Sequence, residues 1–192
     1  MRIITGTARG ARLRAPKGLD TRPTSDRIKG AIFSILSDKV IGRRVLDLYA
    51  GTGSLGLEAL SRGASSAVLV DKATAAILKA NAEHTHLSER TAIRSGDVQA
   101  ELARLNRTVG PDSRFSLVFA DPPYHGGLVE RTLQSLDAAA DELLAPEAIV
   151  VIEHGGDVEL PATRNLSCVL TRRYGHTTQL SFYQRADYLA EQ

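Results

Sequence analysis

The chain has 192 residues, 43% of them hydrophobic, which is enough to bury the core of one domain with a small extension. No apolar run approaches the roughly 20 residues that span a bilayer, and the first residues lack the apolar stretch of a secretory signal. We therefore expect a cytoplasmic protein with no membrane partner. The one cysteine, Cys168, excludes an internal disulfide, and we expect it to be a small buried residue.

Charge is distributed unevenly along the chain. Residues 1–44 hold eleven Lys and Arg against three Asp, a net charge of +8, whereas the remainder holds thirteen against nineteen, a net charge of −6. A basic segment beside an acidic body is typical of a polyanion-binding face, because each neutralised phosphate releases condensed counterions. A merely solvated basic surface explains the charge alone equally well.

The basic segment predicts a short extended pair followed by a helix. Residues 2–5 and 11–14 have the pattern of extended segments that turn through residues 6–10. Helix start signals follow Pro23, and apolar residues then recur at helical spacing as far as Leu36. The opposite face of this helix is expected to carry Arg27 and Lys29.

From residue 44 onward, short apolar runs alternate with helical stretches, which predicts a parallel sheet covered on both faces. The expected strands are residues 44–48, 67–70, 92–94, 117–120 and 149–152, and the expected helices are residues 55–62, 73–84, 98–105 and 128–144. Residues 166–174 and 179–183 predict two more strands joined through Gly175, a connection so tight that they must pair antiparallel. The prediction is an α/β, Rossmann-like fold whose sheet is mostly parallel with an antiparallel last strand. Residues 1–43 would form a basic extension to a main domain of residues 44–192.

The first of these strands runs into a glycine-rich turn that opens a helix. Gly51, Gly53 and Gly56 satisfy the G-x-G-x-x-G dinucleotide fingerprint, which by itself indicates only some adenosine-containing ligand. Asp47, four residues before the first glycine, would repel a pyrophosphate but suits the cationic amino-acid end of S-adenosylmethionine (SAM). Asp71 follows the second strand, where its two oxygens fit a ribose diol, a feature that NAD shares.

A third acidic candidate, Asp97, follows the third strand in the stretch Arg94-Ser95-Gly96-Asp97-Val98. Its side chain is a candidate acceptor for the adenine amino group. Capping the next helix is an equally good interpretation, and the two roles are compatible.

The most specific motif is Asp121-Pro122-Pro123-Tyr124, which follows the fourth strand, where open α/β sheets place their active sites. An exocyclic base amine is a poor nucleophile because its lone pair is delocalised into the ring. The Asp121 carboxylate and the Pro122 carbonyl are two acceptors for its two hydrogens and would align the lone pair for attack on a methyl sulfonium. The prolines fix φ, and Tyr124 offers a face on which an extruded base would stack, worth about 1 to 3 kcal/mol. A proline turn after a strand is the alternative structural interpretation.

These motifs occur together with Arg2-Ile3-Ile4, Ala8-Arg9-Gly10, Arg22-Pro23-Thr24-Ser25-Asp26-Arg27, the stretch from Glu58 to Ala64 and Tyr174-Gly175. Over nearly its whole length the chain thereby resembles the RsmD-like family, the guanine-N2 methyltransferases of small-subunit ribosomal RNA. The resemblance implies a class I fold with a seven-stranded sheet, and SAM as cofactor with S-adenosylhomocysteine (SAH) as product. It also implies guanine-966 of 16S rRNA as target. The chain departs from the family at Asp71, where Glu is more common, and at His176, where an acidic residue is common.

Together the motifs and the resemblance assign three groups of site residues. The catalytic group is Asp121, Pro122, Pro123 and Tyr124. The cofactor group is Asp47, Tyr49, Gly51, Thr52, Gly53, Asp71, Lys72, Asp97 and Val98. The RNA-binding group is Arg2, Arg9, Arg12, Arg14, Arg22, Thr24, Arg27 and Lys29, although a helix-capping role fits Thr24 equally well. The implied partner is 16S rRNA, in the small subunit or an assembly intermediate, and the protein is expected to be a monomer.

Other polar residues carry weaker signals. His84, His86, His125 and His154 have no cysteine or carboxylate cluster in metal-site spacing around them, so we expect no metal. His125 follows the tetrapeptide directly, where it would either line the base pocket or lie in a solvated loop. Glu153 ends the fifth expected strand and would either face the cleft or lie at its rim.

Three other functions fit part of the sequence. An NAD-dependent oxidoreductase explains the glycines and Asp71 but neither the tetrapeptide nor the basic segment. A DNA adenine-N6 methyltransferase uses the same amine chemistry, but the chain has little room for a target-recognition domain. A noncatalytic RNA-binding assembly factor needs only the basic segment.

Overall fold

The computed structural model describes residues 1–16, 26–123 and 126–192. Its helices are α1 Asp26–Leu36, α2 Ser54–Ser61, α3 Ala75–His84, α4 Val98–Thr108, α5 Leu128–Ala138, α6 Ala140–Leu143 and α7 Ala186–Ala190. Its strands are β1 Arg44–Leu48, β2 Ser66–Val70, β3 Thr91–Arg94, β4 Phe115–Ala120, β5 Leu144–Gly155, β6 Leu166–Tyr174 and β7 Thr178–Arg185. Short 3-10 turns occupy Ser37–Val40, Ser88–Arg90 and Pro111–Ser113. None of the described helices combines the length and the hydrophobicity of a transmembrane span.

The strands form one mixed sheet in the order β3-β2-β1-β4-β5-β7-β6. β1 pairs parallel with β2, β2 with β3 and β4 with β5, whereas β7 pairs antiparallel with both β5 and β6. All six residues of β4 are buried, as expected of a parallel strand covered on both faces. The prediction of an α/β, Rossmann-like fold with a seven-stranded sheet and an antiparallel last strand is confirmed.

The chain divides into two compact units, Met1–Asp97 and Val98–Gln192. The first unit holds α1 to α3 and β1 to β3, and the second holds the remaining elements. The domain boundary expected at residue 43 stays a prediction.

Helix α2 is the centre of the first unit, because all eight of its residues are buried. It packs on β1 and β2, and the N-terminal residues cover it as well: the N–H of Thr7 donates to the Ser61 carbonyl at 2.9 Å. A helix covered on more than one side has no need of a polar face, which explains its apolar and small residues.

The second unit departs from the predicted elements in two places. The helix expected over residues 128–144 is broken at Ala139, and β5 begins at Leu144, five residues earlier than expected. The expectation that Cys168 is buried is wrong, because it lies on the edge strand β6, most of whose residues are exposed or half-buried. The β6–β7 pairing also shifts register between Cys168 and Leu170, a bulge that leaves Val169 exposed.

Candidate active site

The residues between β1 and α2, numbers 49–53, form a tight turn, here called the cofactor turn. Its φ angles are +60° at Tyr49, +55° at Gly51 and +77° at Gly53. Glycine adopts such angles without cost, whereas a tyrosine there is held by its surroundings in a strained conformation. The N–H of Gly53 donates to the Ala50 carbonyl at 2.7 Å, and the N–H of Ala50 donates to the Val70 carbonyl at 3.0 Å. The turn is therefore fixed to the sheet edge by its own backbone.

The three glycines of the fingerprint have different surroundings. A Cβ at Gly56 would lie 2.3 Å from Leu69 Cδ2, and one at Gly53 would lie 3.1 to 3.2 Å from three leucine side chains. Both glycines are required for packing of the turn and α2 on the protein. A Cβ at Gly51 would meet nothing nearer than the Tyr49 carbonyl oxygen at 3.9 Å. The Gly51 backbone therefore has open space beside it, and its contact with a cofactor stays a prediction.

Asp71 holds the cofactor turn against the start of α3. Its Oδ2 accepts the Gly51 N–H at 3.0 Å, and its Oδ1 accepts the N–H groups of Ala73 at 2.8 Å and Thr74 at 3.1 Å. A carboxylate has about four acceptor positions, so these three bonds leave room for one more donor such as a ribose hydroxyl. The ribose contact stays a prediction.

Asp47 is almost wholly buried, with 2% of its surface exposed. Its Oδ2 accepts the Gly56 N–H at 2.8 Å, so the carboxylate stabilises the first turn of α2. The other expected cofactor contacts follow the strands as the sequence suggested. Lys72 is exposed after Asp71, and exposed Asp97 directly precedes α4, whose first residue, Val98, is buried. Their roles at the cofactor, and that of Asp47, stay predictions.

The tetrapeptide begins directly after β4, as expected. Asp121 is half-buried, Pro122 is buried and Pro123 is exposed. Tyr124 and His125 lie outside the described residues. Because β4 is buried along its whole length, the backbone at Asp121 is held by a rigid strand end.

Residues 1–14 form an antiparallel arm, here called the N-terminal hairpin. Arg2 and Arg12 make one antiparallel bridge, and the N–H of Ile3 donates to the Ala11 carbonyl at 2.9 Å. The two expected extended segments therefore meet, although in a single bridge rather than in paired strands.

The hairpin is anchored along α2. At one position the Glu58 carboxylate accepts the N–H groups of Ile4 at 2.7 Å and Thr5 at 3.0 Å. One helical turn further on, Ser61 Oγ accepts the Ala8 N–H at 2.9 Å. A Cβ at Gly6 would lie 1.8 Å from the Ser61 carbonyl oxygen, so only glycine permits this approach.

Lys29 does not lie on an exposed face beside Arg27. Its side chain has no exposed surface, forms an ion pair with Glu58 at 3.3 Å and donates a hydrogen bond to the Arg2 carbonyl. Burial lowers the pKa of Lys29, and the neighbouring Glu58 opposes that shift. The expectation that Lys29 binds RNA is therefore wrong, since the residue joins α1 and the hairpin to α2.

The other described residues of the RNA-binding group are exposed: Arg2, Arg9, Arg12, Arg14 and Arg27. Arg2 lies 3.8 Å from the Asp26 carboxylate. Arg22 and Thr24 lie outside the described residues. Four exposed arginines therefore lie on the hairpin, and Arg27 lies on α1.

A groove of about 600 Å³ lies between the turn of the hairpin and the end of α3. Its basic lining residues are Arg9, His84, His86 and Arg90, and its lining, all within the described chain, includes no Asp or Glu. Arg90 Nη1 also donates to the carbonyls of Leu60 at 3.3 Å and Ala64 at 2.9 Å, which fixes its position. The groove extends the cationic surface of the hairpin.

The remaining polar candidates are structural or buried. His154 is 1% exposed, and its Nδ1 and Nε2 each lie 2.9 Å from a partner, the Gly155 carbonyl and Ser181 Oγ. Burial lowers the pKa of His154. Glu153 is 7% exposed within β5, so it is not a rim carboxylate. Among the described residues no group of three metal-ligating side chains comes together.

Comparison with known proteins identifies the family. The family described as Conserved hypothetical protein 95 matches residues 1–184. Ribosomal RNA small subunit methyltransferase D of Escherichia coli K12 is 34% identical over 163 residues, covering 84% of this chain and 78% of that protein. A hypothetical protein of Thermus thermophilus has the same fold with a TM-score of 0.80 and 30% identity, covering 96% of this chain and 99% of that one.

A putative methyltransferase solved in complex with SAH matches with a TM-score of 0.63 at 14% identity, covering 78% of this chain and 48% of that one. At this identity the match shows a shared fold. The family match and the 34% identity to a ribosomal RNA methyltransferase set aside the alternative of an NAD-dependent oxidoreductase. The chain belongs to the Conserved hypothetical protein 95 family, the RsmD-like, SAM-dependent methyltransferases.

Proposed function

We propose that this protein transfers a methyl group from SAM to the exocyclic N2 of a guanine in 16S rRNA of the small ribosomal subunit. By resemblance, the target is guanine-966. The observation that carries the proposal is the placement of Asp121 and Pro122 directly after the buried strand β4, as the amine chemistry requires. The curated E. coli relative, a ribosomal RNA small subunit methyltransferase, supports the choice of RNA over DNA.

The first unit would hold the cofactor. Open backbone at Gly51 and the remaining acceptor position of Asp71 fit the adenosine part, and Asp97 fits the adenine amino group. When bound, SAM supplies a methyl group activated by its sulfonium. The expected roles of Tyr49, Thr52, Lys72 and Val98 belong to the same proposal.

Asp121 and the Pro122 carbonyl would prepare the amine for attack. Each accepts one of the two N–H groups of guanine N2, which turns the nitrogen lone pair out of conjugation with the ring. Neither acceptor needs to be a strong base, because the nitrogen becomes acidic when it gains the methyl group. The N–H proton then passes to Asp121 or to water, and the product amine is neutral. Tyr124 would stack on the extruded base.

The hairpin would dock the RNA backbone. Its exposed arginines, together with Arg90 in the groove, carry positive charge, and the described lining of the groove holds no carboxylate. Phosphate contacts of this kind supply affinity and orientation, while the base pocket supplies specificity. We infer that the protein acts as a monomer in the cytoplasm, where ribosomal subunits are assembled.

Identification of the methylated nucleoside tests the proposal. The protein is incubated with labelled SAM and three substrates: small subunits lacking the modification, naked 16S rRNA and double-stranded DNA. N2-methylguanosine in RNA is the expected product. N6-methyladenine in DNA would favour the alternative DNA methyltransferase, and binding of subunits without transfer to any substrate would favour a noncatalytic assembly factor.

A further inference from the structure

Asn81 occupies an apolar position of α3 although its side chain is polar. The buried residues of α3 are Leu78, Asn81 and Ala82, and Asn81 has no exposed surface. A buried amide is tolerated where its donors and acceptor are paired. The partners of Asn81 therefore indicate what this position is for.

The Asn81 side chain joins two separate segments of the first unit. Its Oδ1 accepts the Arg14 N–H at 2.8 Å, and its Nδ2 donates to the Arg14 carbonyl at 3.0 Å. The same Nδ2 donates to the Thr52 carbonyl at 2.9 Å. Rotation of the amide would place N–H against N–H and oxygen against oxygen, so the three bonds fix one orientation.

A second contact links the same two segments. The Thr52 hydroxyl donates to Met1 Sδ at 3.5 Å, and the Leu13 N–H donates to the Met1 carbonyl at 3.1 Å. Both arms of the N-terminal hairpin are thus linked to Thr52, the Met1 arm directly and the Arg14 arm through Asn81. Thr52 lies between the two glycines of the cofactor turn. The end of the hairpin that carries Arg14 is therefore part of the scaffold of that turn.

We propose that Asn81 is a positioning residue that couples the N-terminal hairpin to the cofactor turn, so that RNA and cofactor strengthen each other's binding. The inference rests on the proposed function, since it requires RNA on the hairpin. RNA that restrains Arg14 also restrains the Asn81 amide and, through it, the Thr52 carbonyl. The cofactor then loses less conformational entropy on binding. By thermodynamic linkage the cofactor raises RNA affinity by the same factor.

The wild-type protein gives the first measurement. Equilibrium dialysis with labelled SAH, which cannot react, yields its affinity with and without saturating small subunits that lack the modification. We expect the subunits to raise SAH affinity at least about 5-fold. The ratio of the two affinities measures the coupling and does not depend on turnover.

Two variants and a matched control assign the coupling to Asn81. Asn81→Ala should bring the ratio close to one. Asn81→Asp keeps the acceptor for the Arg14 N–H but has no donor for the Thr52 carbonyl, so it should also bring the ratio close to one. This variant provides the test if the alanine variant does not fold. Ser61→Ala is the control, because Ser61 Oγ bonds the Ala8 N–H at 2.9 Å and the Thr5 carbonyl at 2.6 Å without contacting the cofactor turn. It should loosen the hairpin and keep the wild-type ratio.

The outcomes separate this inference from the proposed function. A wild-type ratio of one with intact subunit binding would overturn the coupling and leave the proposed function standing. A wild-type ratio retained by both Asn81 variants would show that Asn81 is merely structural. Failure of the wild type to bind subunits would contradict the proposed function, and the coupling with it.

Discussion

The residues around the cofactor turn pack the turn and hold it in place. Gly56 lets α2 approach Asp47 and Leu69 closely, and Asp47 uses one oxygen to hold the Gly56 N–H. Asp71 similarly bonds three backbone N–H groups. The fingerprint therefore predicts the turn well, but it does not separate residues that hold the turn from residues that touch the cofactor.

Replacing Gly56 by alanine should damage both stability and cofactor binding. The new methyl would lie 2.3 Å from Leu69 Cδ2 and 3.1 Å from Asp47 Oδ2, and overpacking of this kind costs about 1 to 3 kcal/mol. Urea denaturation and SAH titration measure the two effects. The control is Gly30→Ala in α1, where a Cβ meets nothing within 4 Å. It should raise the free energy of unfolding by up to about 1 kcal/mol. Equal free energies of unfolding and equal SAH affinities for the two variants would show that Gly56 is not required for close packing.

His154 should make the fold less stable in acid. Since a carbonyl only accepts, Nδ1 donates to Gly155 and the neutral Nε2 accepts the Ser181 hydroxyl. The pKa of His154 in the folded protein is lowered by burial below its ordinary value of 6.5, so the unfolded chain binds the proton more readily. Its stabilising contribution is therefore complete above pH 6.5 and decreases as the pH falls toward the folded pKa, by at most about 1.4 kcal/mol per unit. Urea denaturation across this range should show a smaller acid loss in His154→Gln, and an identical loss would contradict the assignment.

The buried charge network around Glu58 joins α1 and the hairpin to α2. Glu58 bonds two backbone N–H groups and pairs with Lys29 at 3.3 Å and with Arg62 at 2.8 Å. Arg62 in turn lies over the Phe33 ring of α1, 4.6 Å from its centre. One carboxylate thus orients the basic hairpin relative to α2.

Lys29→Met should therefore be strongly destabilising. Removing one partner of a buried ion pair costs about 3 kcal/mol or more, although Arg62 remains to neutralise part of the Glu58 charge. The matched control is Lys39→Met at an exposed position, which should change the free energy of unfolding by less than about 0.5 kcal/mol. Thermal or urea denaturation measures both. A Lys29→Met variant as stable as wild type would show that the network is dispensable.

The predicted elements agree with the structure where local pattern and packing coincide. β1 and β6 have the bounds expected from the sequence, because each is an uninterrupted stretch with the pattern of a strand, bounded on both sides by residues that end that pattern. The start of β5 and the break at Ala139 were missed, since helical periodicity continues through residues 128–144 and tertiary pairing decides where the strand begins. Lys29 and Asn81 were missed as structural residues because their partners lie 29 and up to 67 positions away.

Charge is divided along the folded chain as the sequence suggested. Among the described residues of the basic segment, the exposed arginines lie on the hairpin and α1, while the rest of the chain is net acidic. The location of the positive surface was predictable from the distribution of charge along the sequence, because charged side chains that form no ion pair are seldom buried. The cationic groove was not predictable, since it requires Arg9 and the end of α3 to come together across more than 70 positions.

Removing the hairpin charges should weaken RNA binding in a salt-dependent way. For the triple variant Arg9→Ala, Arg12→Ala, Arg14→Ala we expect the slope of log affinity against log salt to fall in magnitude by about 2 to 3. The control removes three exposed arginines of the second unit, Arg107, Arg131 and Arg164. Filter binding to small subunits at several salt concentrations gives both slopes. An equal change in the two variants would show a nonspecific charge effect.

Asp121 is proposed to act on the amine rather than on the cofactor or the fold, and single-turnover methyl transfer by Asp121→Asn distinguishes these roles. The control is Asp112→Asn, the same change at an exposed position before the other end of β4. We expect the rate of Asp121→Asn to fall by about 100-fold or more, with SAH affinity and melting temperature close to wild type, and the rate of Asp112→Asn to be unchanged. A rate for Asp121→Asn within a few-fold of wild type, or a loss explained by weaker SAH binding, would contradict a role of Asp121 in activating the amine.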